Sequence, residues 1–132
     1  IPHYVDYKLI KDAVNTDSFK VINLMTIDIE EVTNQILECE NIISTSLHGI
    51  IVPHAYNIPA IRVKFSSKIF GDDIKYLDYY ESMGIKPYNI NINLEDFNEE
   101  FFNKILLENQ SLPNPIYLEK NKKDLMSVCP FI

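Results

Sequence analysis

A histidine, three hydroxyl residues and a glycine stand together in the segment STSLHG, residues 44–49. A loop rich in serine and threonine that leads into a helix can offer hydroxyls and free N–H groups to an anion. Gly49 leaves room for a ligand to approach the backbone. His48 would lie in the first helical turn, where an imidazole can take up a proton and return it. The spacing is also typical of a capped helix with a partly exposed histidine, so it leaves both interpretations open.

Two further groups of polar residues follow segments that have the pattern of strands. The first group follows the opening residues and comprises His3, Tyr4, Asp6 and Tyr7. The second group follows PAIRVKF and comprises Lys64, Ser66, Ser67 and Lys68. In open α/β sheets, ligands bind outside the carboxyl ends of the strands. If the preceding segments are strands of one parallel sheet, all three groups should lie along one edge.

The other histidines and the cysteines carry weaker signals. His54 follows His48 by six residues and so points to another part of the helix surface, where we expect a structural or a surface position. Cys39 and Cys129 are far apart and lack metal-ligand spacing, which favours two reduced thiols in a cytosolic protein. The sequence has no convincing metal-site, Walker or dinucleotide-binding pattern, and we therefore expect no metal and no cofactor.

Length and composition favour one folded domain. The chain has 132 residues and is 46% hydrophobic, which suffices for a core. Its net charge of −7 argues against nucleic-acid binding through a basic surface. No apolar run is long enough to span a membrane. Because Arg62 is the only arginine, lysines, backbone N–H groups or another domain would have to bind an anionic substrate.

Short apolar runs alternate with amphipathic segments along the chain. The predicted strands are FKVINLM (residues 19–25), NIIST (41–45) and PAIRVKF (59–65), and YNINI (88–92) is predicted to be a short strand or an extended piece. The predicted helices are DIEEVTNQILECE, LHGIIVPHAYN, DDIKYLDYYESMG, EDFNEEFFNKILLENQ and a last segment from Ile116. Asp28 with Glu31 resembles a capping box, and Gly84 has the position of a glycine C-cap. This alternation predicts βαβ units, and therefore an α/β fold whose parallel sheet has helices on both faces.

The segment ISTSLHGIIVPHAYNIPAI, followed by KFSSKIFGDDIKYLDYYESMG, resembles the polysaccharide pyruvyl transferase family, especially members acting in bacterial exopolysaccharide synthesis. The opening IPHYVDY resembles a segment that begins the carboxyl-terminal domain of these enzymes. The likeness extends from Ile1 to Gly84 and fades beyond it. Many members carry arginine where this sequence has Ser46, so the resemblance implies that another part of the enzyme supplies that cationic contact.

The resemblance implies a two-domain enzyme with two Rossmann-like halves, similar to GT-B glycosyltransferases, in which residues 1–132 would be the C-terminal domain. A first residue that is Ile rather than Met agrees with a piece of a longer protein. The implied reaction transfers the pyruvyl group of phosphoenolpyruvate to a saccharide acceptor, including a lipid-linked one, in the cytoplasm or at the inner membrane face. His48 matches the family's catalytic histidine. The residues expected to contact substrate are Ser44, Thr45, Ser46, Leu47, Gly49, His3, Lys64 and Lys75.

Two other functions stay open on the sequence. A GT-B-type glycosyltransferase half would bind a nucleotide sugar, but no acidic residue is clearly placed for a ribose and no glycine-rich phosphate loop is present. A non-enzymatic α/β module, such as a receiver domain, needs clustered aspartates at the ends of early strands. Asp6 and Asp28 do not form that pattern.

Overall fold

The computed structural model describes residues 1–4, 6–14, 17–65 and 73–131. Its elements, in chain order, are α1 (Tyr7–Ala13), α2 (Ile29–Leu37), β1 (Ile42–Ser44), α3 (His48–Ala55), β2 (Ala60–Arg62), α4 (Ile74–Ser82), a 3-10 turn (Leu94–Asp96), α5 (Glu99–Glu108) and α6 (Pro115–Ser127). These residues form a mixed α/β fold with six helices and a two-stranded parallel sheet. Within the same part of the chain, no helix combines the length and apolarity needed to cross a bilayer.

The two strands and the helix between them form a βαβ unit. β1 pairs with β2 in parallel, with Ile42 opposite Ala60 and Ser44 opposite Arg62. α3 packs against both strands. Because the strands run in the same direction, their carboxyl ends meet at one side of the sheet, which we call the C-terminal edge.

Two further segments extend the parallel pattern beyond the two strands. The Ile1 amino group donates to the Ile43 carbonyl, and the Thr45 N–H donates to the Ile1 carbonyl at 3.1 Å. This alternation is the hydrogen-bond pattern of a parallel neighbour. On the other side, Lys64 forms a parallel bridge with Asn91. The opening residues therefore lie beside β1 as a strand end, as their sequence predicts.

Apolar clusters cover both faces of the sheet, because successive strand residues point to opposite sides. The first cluster joins the sheet to α2, α3 and α4, and its buried members include Ile36, Ile42, Ile50, Ala60 and Tyr80. The second cluster joins the opposite face to α5, and its buried members are Ile61, Val63, Ile92 and Ile105. The predicted packing of helices on both faces thus agrees with the observed contacts.

The predicted elements are largely confirmed, with one clear error. NIIST and PAIRVKF contain the two strands, and all five predicted helices are present. The prediction of a strand at residues 19–25 is wrong, because after a bridge at Phe19 the segment is irregular. Its apolar residues serve burial instead, since Ile22 is only 2% exposed in the first cluster. α1 was not predicted, and YNINI contributes only the bridge at Asn91.

Local capping signals in the sequence are reproduced in the structure. The Asp28 carboxylate accepts the Glu31 N–H at 2.9 Å, which is one half of a capping box. Gly84 follows α4 with φ of 64°, a left-handed conformation that glycine adopts without a steric penalty. Pro53 lies inside α3, which ends two residues later at Ala55.

Candidate functional site

The C-terminal edge brings together described members of all three predicted polar groups. The His3 N–H donates to Thr45 Oγ1 at 2.7 Å, which joins the opening residues to the loop after β1. Lys64 lies two residues after the end of β2, the strand that pairs with β1 and so ends beside this loop. Ser66, Ser67 and Lys68 of the third group lie outside the described residues.

The hydroxyls of the loop between β1 and α3 are turned toward the protein's own backbone. Ser44 Oγ accepts the Ser46 N–H at 2.9 Å and donates to the Ile1 carbonyl at 2.8 Å. Ser46 Oγ accepts the Gly49 N–H at 3.4 Å. All three hydroxyl residues are buried, including Thr45. These bonds fix the shape of the loop, and direct substrate binding by its hydroxyls stays a prediction.

Gly49 has no side chain because its surroundings leave no space for one. A Cβ atom at this position would lie 2.1 Å from Ser44 Oγ and 2.8 Å from Ile1 Cγ2. Contacts that short require one partner to move. The missing side chain therefore serves the packing of the loop, and contact between Gly49 and a ligand stays a prediction.

His48 is the first residue of α3, and its side chain is exposed to solvent. Its neighbours are held in the protein: Gly49 and Ile50 are buried, and Leu47 is half-buried. The backbone at His48 is therefore anchored while its imidazole remains accessible from the C-terminal edge. An accessible imidazole on a fixed backbone has the properties that acid–base chemistry requires.

A cationic pair lies at the end of β2 and shares one carboxylate, which offsets one of its two positive charges. Asp73 Oδ1 accepts from Arg62 Nη2 at 2.8 Å and from Lys64 Nζ at 2.9 Å. The hydrogen bond from Lys64, followed in importance by that from Arg62, lowers the pKa of Asp73 below its usual value. The Arg62 side chain is only 10% exposed, and within the described residues its Nε has no hydrogen-bond partner.

Tyr76 of α4 links this cationic pair to the loop that carries His48. The Tyr76 hydroxyl donates to the Thr45 carbonyl at 3.0 Å. The guanidinium carbon of Arg62 lies 3.3 Å from the centroid of the Tyr76 ring, well within cation–π range. Sequence reasoning missed this residue, although its spacing of four from the buried Tyr80 indicated an inward-facing position.

The remaining predicted site residues lie in different surroundings. His3 is half-buried at the C-terminal edge, and its ring packs on Tyr4 with centroids 4.4 Å apart. Lys75 is exposed in the first turn of α4, and its contact with substrate stays a prediction. Within the described residues, no group of His, Cys, Asp and Glu side chains is arranged to hold a metal ion.

His54 has a structural role, one of the two that its spacing predicts. It is buried, with Nε2 2.9 Å from the Ser111 carbonyl and Nδ1 2.9 Å from the Tyr79 hydroxyl. The carbonyl can only accept, so Nε2 carries the proton and Nδ1 accepts from the tyrosine. Burial lowers the pKa of His54, which favours this neutral form.

Comparison with known proteins gives a family match for the part of the chain that contains the C-terminal edge. The sequence model of the polysaccharide pyruvyl transferase family matches residues 2–67, which include both strands, the loop and His48. The chain is also 37% identical over 110 residues to an uncharacterized protein of Acanthamoeba polyphaga mimivirus, a match that covers 74% of this chain and 38% of that protein. The chain thus spans well under half the length of this relative. No solved structure matches the present chain significantly. Since the family match covers half of its length, the chain belongs to the polysaccharide pyruvyl transferase family.

Proposed function

We propose that this chain is the C-terminal half of a pyruvyl transferase that moves the pyruvyl group of phosphoenolpyruvate onto two hydroxyls of a saccharide. The observation that carries the proposal is His48, an exposed imidazole on an anchored backbone at the C-terminal edge, within the segment that matches the family. Ligands of parallel α/β sheets bind at this edge.

The proposed reaction requires one group that both gives and takes protons. Protonation of the donor's methylene carbon produces an oxocarbenium-like centre at C2. A first sugar hydroxyl attacks C2 and loses its proton, and the C2–O bond to phosphate breaks with the electron pair leaving on phosphate. A second hydroxyl then closes the cyclic ketal, and its proton is taken up by the released phosphate. His48 would supply the first proton and accept one from an attacking hydroxyl.

The donor's phosphate and carboxylate need cationic or N–H partners, and this chain offers few. Lys64 and Lys75 are the proposed cationic contacts. Arg62 lies close to Lys64, because both side chains form ion pairs with the Asp73 carboxylate. Ser44, Thr45 and Ser46 would act chiefly by holding the loop, because their hydroxyls already bond to the protein's backbone. Another domain would supply the remaining positive charge.

The proposed setting is supported by the family match and by the greater length of the relative. Residues 1–132 would form one Rossmann-like wall of a cleft between two domains, similar to the halves of GT-B enzymes. The acceptor would be a saccharide of an exopolysaccharide precursor, including a lipid-linked one. The enzyme would work in the cytoplasm, at the inner face of the membrane for such an acceptor.

The decisive experiment substitutes the histidine in the full-length protein that contains this chain. His48→Ala should lower kcat for ketal formation by about 10²–10⁴-fold, the usual contribution of a positioned acid–base group. Because the side chain is exposed, the free energy of unfolding should change little. His54→Gln is the matched control, since it removes a histidine that lies in the core rather than at the edge.

Near-normal ketal formation by His48→Ala would disprove the proposed role. Release of phosphate from phosphoenolpyruvate, measured with and without the saccharide acceptor, identifies the donor. Turnover with a nucleotide sugar instead would indicate a glycosyltransferase.

A further inference from the structure

Tyr76 contacts two different parts of the C-terminal edge at once. Its hydroxyl donates to the Thr45 carbonyl, three residues before His48, and its ring lies under the Arg62 guanidinium. Arg62 is in turn held by Asp73, the N-cap residue of α4. Tyr76 and Asp73 thereby connect the start of α4 to the end of β2, and Tyr76 also connects it to the loop before α3.

The surroundings of Tyr76 make these contacts persistent. The side chain is buried, at 7% exposure. Burial raises the pKa of Tyr76, so the hydroxyl stays protonated and remains a donor through the neutral range. The Thr45 carbonyl is the loop's contact with α4, whereas the Thr45 N–H and Oγ1 bond to the opening residues. Loss of the Tyr76 bond would therefore free the loop on its α4 side only.

We infer that Tyr76 is a positioning residue, which holds the loop from Thr45 to Leu47 so that His48 is presented to the reacting atoms. The inference deepens the proposed function and rests on it. Tyr76 acts through the Thr45 carbonyl and the stacked Arg62, without itself exchanging a proton. Small displacements of a catalytic group lower the rate of the chemical step much more than they lower substrate affinity.

The test compares two tyrosine-to-phenylalanine variants of the full-length protein. Tyr76→Phe keeps the ring under Arg62 but loses the bond to Thr45, so kcat should fall about tenfold with KM for phosphoenolpyruvate within about twofold. Tyr80→Phe is the matched control, because Tyr80 lies one turn further along α4, is also buried, and loses a bond to the Tyr88 hydroxyl at 3.2 Å. Its kcat should stay within about twofold of the wild type.

A second measurement reports on the loop independently of activity. Amide hydrogen exchange of Thr45, Ser46 and Gly49 should become faster in Tyr76→Phe and stay unchanged in Tyr80→Phe. Circular dichroism melting of both variants confirms that they are folded. Tyr76→Leu, which also removes the aromatic ring beneath Arg62, should lower kcat further than Tyr76→Phe.

The outcomes separate this inference from the proposed function. If His48→Ala is inactive while Tyr76→Phe has the kcat and exchange rates of Tyr80→Phe, positioning by Tyr76 is wrong and the proposed function stands. If His48→Ala keeps its activity, both are wrong. A rise in KM with unchanged kcat in Tyr76→Phe would also overturn the inference, because it would indicate a role in binding rather than in presentation of His48.

Discussion

Gly49→Ala tests whether the loop before α3 is as closely packed as the structure indicates. The added Cβ would lie 2.1 Å from Ser44 Oγ, so one of the two atoms must move by about 1.4 Å to reach an ordinary contact. Ser44 Oγ cannot move that far and keep its hydrogen bonds to Ser46 and Ile1. The substitution therefore combines over-packing with the loss of a buried hydrogen bond.

The expected magnitude is a balance of three terms. Over-packing costs about 1–3 kcal/mol, and the lost hydrogen bond costs about 1 kcal/mol. Alanine is favoured over glycine inside a helix by about 1 kcal/mol, and Gly49 is the second residue of α3. We therefore expect Gly49→Ala to lower the free energy of unfolding by about 1–3 kcal/mol, measured by urea denaturation of the full-length protein.

A double-mutant cycle with Ser44→Gly isolates the contact. In the Ser44→Gly background the Oγ atom is absent, so adding Gly49→Ala should cost at least about 1 kcal/mol less than in the wild type. Equal costs in both backgrounds would assign the penalty to Ile1, whose Cγ2 lies 2.8 Å from the added Cβ. A Gly49→Ala variant as stable as the wild type would refute the reasoning, because it would show that the loop accommodates a side chain.

Two further predictions concern stability. Burial lowers the pKa of His54 in the native protein below its usual value of about 6.5. Between these two values the unfolded chain binds more protons than the native one. The free energy of unfolding should therefore fall as the pH drops through this window. His54→Gln should flatten the slope of unfolding free energy against pH relative to the wild type. Tyr79→Phe should lower the stability at every pH and keep that slope. Identical slopes in His54→Gln and the wild type would contradict the assignment of the pH dependence to His54. Gly84→Ala should cost about 1–2 kcal/mol, because φ is 64° and a Cβ would lie 2.7 Å from Tyr117 Cδ2. Adding Tyr117→Ala should recover only the steric part, and complete recovery would show that the left-handed backbone carries no cost here.

Much of the fold could be predicted because its signals are local. The spacing of apolar residues indicated the helices and the two paired strands, and residues at fixed offsets indicated the cap at Asp28 and the glycine after α4. The alternation of these elements predicted a parallel sheet, and parallel strands place their carboxyl ends together. The sequence could therefore indicate that His3, the loop before His48 and Lys64 lie along one edge.

The failures share a cause in contacts between distant parts of the chain. A strand is stable only with a neighbour to complete its hydrogen-bond ladder, and residues 19–25 have strand-like composition but bury Ile22 without forming one. The inward orientation of the Ser44 and Ser46 hydroxyls could not be read from their residue types. A hydroxyl suits a ligand and a neighbouring backbone group equally well.

The sequence by itself determined most of the elements, the edge at which we propose the chemistry and the histidine that we propose to carry it out, because periodicity, capping and family motif depend on residues close together in the chain. Only the tertiary structure decided how that histidine is held. Tyr76 reaches Thr45 across 31 residues, and Asp73 bridges Arg62 and Lys64 from a different element. Such contacts form only when the packed core brings α4 against the sheet, so no local pattern records them.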